Sequence, residues 1–163
     1  MNLKYKTMTR DEALHKAAAY CSQAEHCRME VQEKLKKWDV SSSDQESIIT
    51  YLEKENYLNQ QRYATAFARD KFRYNKWGRV KIGMALQQKG IPADELQEAL
   101  NQLEATDYLG QAIDLAKAKL RTLKYSDSYE RDGKLFRFLA GRGFESTIIK
   151  KAIQKAVEQG IDE

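Results

Sequence analysis

A repeat of about fifty residues is the feature of this sequence that most restricts its fold. With Leu35, Leu86 and Leu139 as origins, the copies start 51 and 53 residues apart. Four residues before each origin stand Val31, Ile82 and Leu135; five after stand Val40, Ile91 and Phe144. Ten after come Gln45, Leu96 and Ile149; fourteen after, Ile49, Leu100 and Ile153; seventeen after, Leu52, Leu103 and Ala156. Fourteen of these fifteen are apolar, Gln45 being the exception, so the stripe reads as core. Offsets of −4 and 0, then +10, +14 and +17, are helical spacings on either side of a break. At +4 the break holds Asp39, Gly90 and Gly143, residue types that tolerate the left-handed conformation ending a helix.

The rest of the chain fits that frame. Thr9-Arg10-Asp11-Glu12 has the capping-box pattern and opens a helix running to about Ser22. A second helix spans "CRMEVQEKLKKW". After the breaks, Ser43-Asp44-Gln45-Glu46 offers another capping box, and Pro92 followed by Asp94 and Glu95 suits a helix opening. Asn59 can cap "QQRYATAFARDKFRYNK", and a further helix follows Thr106 and Asp107. One proline and eight glycines leave few breakers. The expected fold is all-α, an elongated, curved tandem array of three-helix repeats. Its expected divisions are an N-terminal helical extension over 1–24, repeats over 25–76 and 77–128, and a shorter third repeat over 129–163. Residues 124–134, "KYSDSYERDGK", read as the loosest and most mobile link.

Composition excludes several classes. No stretch approaches the length of apolar sequence that spans a bilayer, and the N-terminal "MNLKYKTMTRDEA" lacks the apolar core of a secretory signal. A cytoplasmic protein is expected. Cys21 and Cys27 would lie roughly 9 Å apart along a shared helix, too far for a disulfide. With His15 and His26 they lack the tight spacing of a metal site, and nothing downstream completes a set. Two reduced thiols, no metal and no cofactor are the expectation, with His15 a surface residue and His26 a turn residue. No phosphate loop, nucleophile elbow or HExxH motif is present, so the chain reads as a binding protein rather than an enzyme.

Charge is banded. Residues 62–89 carry a net +7, residues 90–116 a net −6, and residues 117–155 a net +7. Local fields of this kind meet partners more directly than net charge does. The candidate partner-binding residues are therefore Arg62, Arg69, Lys71, Arg73, Lys76, Arg79 and Lys81 in the first basic band. In the second they are Lys117, Lys119, Arg121, Lys124, Arg137, Arg142, Lys150 and Lys151. On a helical wheel Arg62, Arg69, Arg73 and Lys76 fall within about 60°, beside an edge formed by Tyr63, Phe67 and Tyr74. A solvated face would show the same pattern; an acidic groove or a phosphate backbone would use it.

Four stretches carry a family resemblance. "EHCRMEVQEKL" (Glu25 to Leu35), "LEKENYLNQQRYATAFARD" (Leu52 to Asp70), "KWGRVKIGMALQQKGI" and "FLAGRGFESTIIKKAI" together resemble the RecX family of regulatory proteins, from about residue 11 to residue 157. Departures from the family's pattern are Cys27, where a small hydroxyl residue is common, and Trp77 and Arg79. The resemblance implies tandem three-helix repeats, no enzymatic activity, and the RecA filament on single-stranded DNA as partner; a monomer is expected. It implies binding in the filament groove, with inhibition of filament extension, ATP hydrolysis, strand exchange and co-protease activity. The alternative is a helical protein that binds single-stranded or duplex DNA through phosphate contacts, without RecA.

Overall fold

The computed structural model describes residues 8–161, so most of the N-terminal stretch considered above for a signal lies outside the described residues. The regular elements among them are helical. They are α1 (Arg10–Gln23), α2 (Arg28–Lys37), α3 (Ser42–Lys54), α4 (Gln60–Asn75), α5 (Arg79–Gln88), α6 (Ala93–Asn101), α7 (Tyr108–Thr122), α8 (Ser128–Gly141) and α9 (Ser146–Ile161). A short 3₁₀ turn at Gln102–Ala105 follows α6. None of these helices is long and apolar enough to cross a membrane.

The three breaks share one geometry. Asp39, Gly90 and Gly143 take φ of 57°, 74° and 92°. The next residue then folds back: Val40, Ile91 and Phe144 donate their N–H groups to the carbonyls of Leu35, Leu86 and Leu139 at 3.0, 3.1 and 3.2 Å. This satisfies end-of-helix carbonyls and drives the apolar side chain onto the preceding turn. All stripe residues are buried except Leu96, which is half-buried. Gln45, the polar exception, is buried because its amide donates to the Val40 carbonyl at 2.8 Å. A buried side chain so satisfied avoids the cost of an orphaned polar group.

Helix openings follow the capping chemistry with two shifts. Thr9 and Glu12 form their capping box, Asn59 caps α4 and Asp107 caps α7. For α3 the cap is Ser41 rather than Ser43: its hydroxyl accepts from the Asp44 N–H at 3.3 Å. Consecutive serines offer several frames, and the return of Val40 to Leu35 selects the earliest. The second shift is larger. Residues 128–134, expected within a loose link, form the first turns of α8, capped by Asp127 through the Glu130 N–H at 2.8 Å.

Packing groups the helices as α1–α3, α4–α6 and α7–α9. Each group begins one helix earlier than the divisions at 25, 77 and 129, and α9 runs on to Ile161, which completes the third group. A periodic signal sets the length of a unit, not its starting point. Here Ala13, Ala17 and Cys21 of α1 join Val31, Leu35, Ile48 and Leu52 in one core. A second, continuous core runs through α4–α9, and Cys27 enters it from the first unit, fully buried. The two cysteines thus sit on different elements, both as free buried thiols, and burial pushes that of Cys21 up to about 11. His15 is exposed, while His26 stacks on Tyr20 with ring centroids 3.7 Å apart.

Candidate partner-binding surface

The surface begins where α4 ends. Lys76 adopts φ 59°, and the chain folds back so that the Trp77 N–H reaches the Lys71 carbonyl at 3.2 Å. That reversal lays the Trp77 ring beside Lys71, whose Nζ is 4.9 Å from the ring centroid and 5.5 Å from that of Phe67. Lys81, four residues beyond Trp77, approaches the same ring at 4.8 Å. Two ammonium groups therefore share one indole, each contact worth about 0.5–1 kcal/mol at such sites.

The next unit continues this surface through a close backbone joint. Gly78, the N-cap of α5, donates its N–H to the Arg142 carbonyl at 2.7 Å, and Val80 donates to the Gly143 carbonyl at 2.9 Å. A Cβ on Gly78 would come within 2.6 Å of the Phe144 nitrogen, so only glycine admits this approach. Arg142 reaches back to the Asn75 carbonyl at 3.1 Å and lies 5.6 Å from the Phe138 ring. Lys119 of α7 meets that ring at 5.2 Å. The result is a band of Phe67, Lys71, Trp77, Lys81, Arg142, Phe138 and Lys119 crossing the joint between the second and third units. No ion pair among the described residues involves its four cations.

A polar cluster braces the joint from inside. Tyr108 accepts from the Arg79 N–H at 2.9 Å and donates to Glu145, which also pairs with the Arg79 guanidinium at 3.0 Å. The guanidinium lies 4.0 Å from the Tyr108 ring. Burial above all, with the bond to Glu145, pushes the Tyr108 phenol well above its ordinary value, so it keeps its proton throughout the physiological range. At the first joint side chains do comparable work. Arg62 pairs with Glu25 and donates to the carbonyls of Asn56 and Tyr57; the Arg28 N–H is met by Gln60 at 3.0 Å.

The fifteen candidate bases therefore separate. Arg62 and Arg79 are committed to internal pairs. Lys71, Lys81, Lys119 and Arg142 form the band. Arg69 and Arg73 are exposed along another face of α4 and Lys76 at its C-cap, Arg73 against Tyr74 at 5.8 Å and Lys76 donating to the Arg73 carbonyl at 2.9 Å. Lys117 and Arg121 line a separate cavity. Lys124, Arg137, Lys150 and Lys151 are exposed elsewhere on the third unit. Trp77 and Phe138 were not among the candidates. The signal for Trp77 was its place immediately after a helix stop, flanked by Lys71, Lys76 and Lys81.

Comparison with known proteins agrees with this architecture. Residues 59–100 match the second three-helix domain of RecX and residues 106–153 the third. These spans correspond to α4–α6 and α7–α9. The Regulatory protein RecX of Prosthecochloris aestuarii is 32% identical over 144 residues, covering 88% of this chain and 93% of its own. The Clostridium beijerinckii protein of that name is 33% identical over 80% of this chain, which spans only 60% of that relative's length. The crystal structure of RecX from Lactobacillus salivarius superposes with a TM-score of 0.83 at 23% identity, over 90% of this chain and 96% of its own. With two domains matched in order and a relative aligned along nearly its full length, this chain belongs to the RecX family of regulatory proteins.

Proposed function

We propose that this chain regulates the RecA recombinase by lodging in the groove of its filament on single-stranded DNA. There it obstructs filament extension and so damps ATP hydrolysis, strand exchange and co-protease activity. It acts as a cytoplasmic monomer and a binding protein, not an enzyme. The observation that carries this reading is the cation–aromatic band across the joint of the second and third units. Four cations held on aromatic rings, with no carboxylate partner among the described residues, present a pre-ordered positive surface for acidic protein groups or DNA phosphates. Family membership supports RecA as the partner, and the band supports this surface as its contact.

The test is inhibition of RecA-dependent ATP hydrolysis by variants whose helicity is checked by circular dichroism. Combining Lys71→Glu with Lys81→Glu is expected to weaken inhibition about tenfold or more, with Trp77→Ala in the same direction. Reversing Arg69 and Arg73 tests the second face of α4. Undiminished inhibition by the Lys71/Lys81 variant would remove the band from the site. Binding to naked single-stranded DNA that persists without RecA and falls steeply with salt would favour the direct DNA-binding alternative.

A further inference from the structure

A second cationic site lies away from the band, where α7, the 123–127 connection and α9 enclose a cavity of about 260 Å³. Lys117 and Arg121 are four residues apart on α7 and so share one helical face, while Lys119 points to another. Arg131 enters from α8 beside Tyr125, its guanidinium 5.9 Å from that ring. Leu120 and Val157 provide an apolar floor, and among the described residues no carboxylate lines the cavity. Arg131 is steadied by Asp132 through Nε at 3.0 Å, which leaves its terminal nitrogens available. Lys117 and Arg121 have no hydrogen-bonded or ionic partner among the described residues.

Three cations around a small concave apolar floor, only Arg131 paired with a carboxylate (Asp132) among the described residues, focus a positive field. The chemistry that answers it is a compact dianion on a partly apolar carrier. The cavity is at the small end for ligand sites, suited to a phosphorylated sugar or mononucleotide and too small for a peptide segment. We infer that this cavity binds a phosphate monoester, with Lys117, Arg121 and Arg131 on the phosphoryl oxygens and Tyr125 beside the carrier. The source is either a free nucleotide or the terminal phosphate of a nucleic-acid strand. The inference does not depend on the RecA reading, since its residues lie outside the band.

The experiment titrates the full chain with thymidine 5′-monophosphate and follows backbone amide shifts. Saturable changes are expected at residues 117–131 and 156–160, and none with thymidine, which lacks the phosphate. Lys117→Ala and Arg121→Gln should each weaken binding about tenfold, as loss of one charge-assisted contact does. The exposed pair Lys36→Ala and Lys37→Ala should leave binding unchanged; Arg121→Gln, at an exposed position, guards against misfolding. A 5′-phosphorylated oligonucleotide that displaces the monophosphate, when its 5′-hydroxyl twin does not, supports the inference and assigns the strand end. Failure of both to displace it supports the inference and assigns a free nucleotide. Non-saturable shifts, equal weakening by the Lys36/Lys37 variant, or equal binding of a polyglutamate peptide would overturn the proposal.

Discussion

At Gly143 a hydrogen stands where any other residue would place a carbon. Its φ of 92° lies in the region that L side chains avoid, and a Cβ there would press on Lys81, 2.6 Å from its backbone nitrogen. Two residues earlier, Gly141 faces open space within the last turn of α8. Alanine at these two positions should therefore act in opposite directions. Gly143→Ala is expected to cost about 2–4 kcal/mol through strain and clash. Gly141→Ala should stabilise by about 0.5 kcal/mol through reduced chain entropy. Urea unfolding of both variants checks the contrast, and similar midpoints would show that the joint yields. The need for a left-handed residue at 143 was legible in the sequence from its register with Asp39 and Gly90. The need for no side chain at all was not, because Lys81 lies sixty-two positions away and nothing local marks the approach.

Among the helices, α8 shows how an element's limits depend on side chains that composition alone misreads. Ser126, Asp127 and Glu130 looked like the substance of a loop. They are instead a cap: Glu130 accepts from the Ser126 hydroxyl at 2.6 Å and from Lys134 at 2.8 Å, while Lys134 also donates to the Lys124 carbonyl. Lys134 first, then Ser126, hold the Glu130 carboxyl at about 2, well below the usual range. A depressed carboxyl contributes stability that is present above its unfolded value, about 4.3, and lost as pH falls through its folded one. The first turn of α8 should therefore loosen between about pH 4.3 and pH 2. Amide exchange at residues 126–134 should accelerate over that window, and Glu130→Gln should remove the pH dependence. The strong apolar stripes of α2, α5 and α9 made those helices readable. The polar first turn of α8 carried its signal only in a capping pattern one frame away from its neighbours, as did Ser41.

Over the whole molecule, the division into two cores outweighs the threefold repeat. The core of α1–α3 is separate, whereas α4–α9 share one, with Cys27 as the contribution from the first unit. Ile48→Ala and Leu139→Ala each remove a fully buried side chain, at an expected cost of about 2–5 kcal/mol. Their effects should be regional: Ile48→Ala should release amide protection in α1–α3 while α4–α9 stays protected, and Leu139→Ala the reverse. Uniform loss in either variant would mean one cooperative unit. The repeat period was readable because buried positions recur at fixed spacing. The merging of two units into one core was not, since it depends on which faces of α4 and α7 meet. The cation–aromatic band escaped for the same reason, its cations being drawn from three helices and a turn.

The two joints differ in kind, and that has a mechanical consequence. Between the second and third units main chain touches main chain, so neither can slide without breaking the bonds of Gly78 and Val80. Between the first and second, the polar bonds run through side chains, Arg62 to Glu25, Gln60 to the Arg28 N–H and Lys89 to Glu30 at 4.0 Å, beside the buried Cys27. Compliance is therefore concentrated at one end of the array. Under load, α4–α9 are expected to move together and α1–α3 to yield first, at the joint held by side chains.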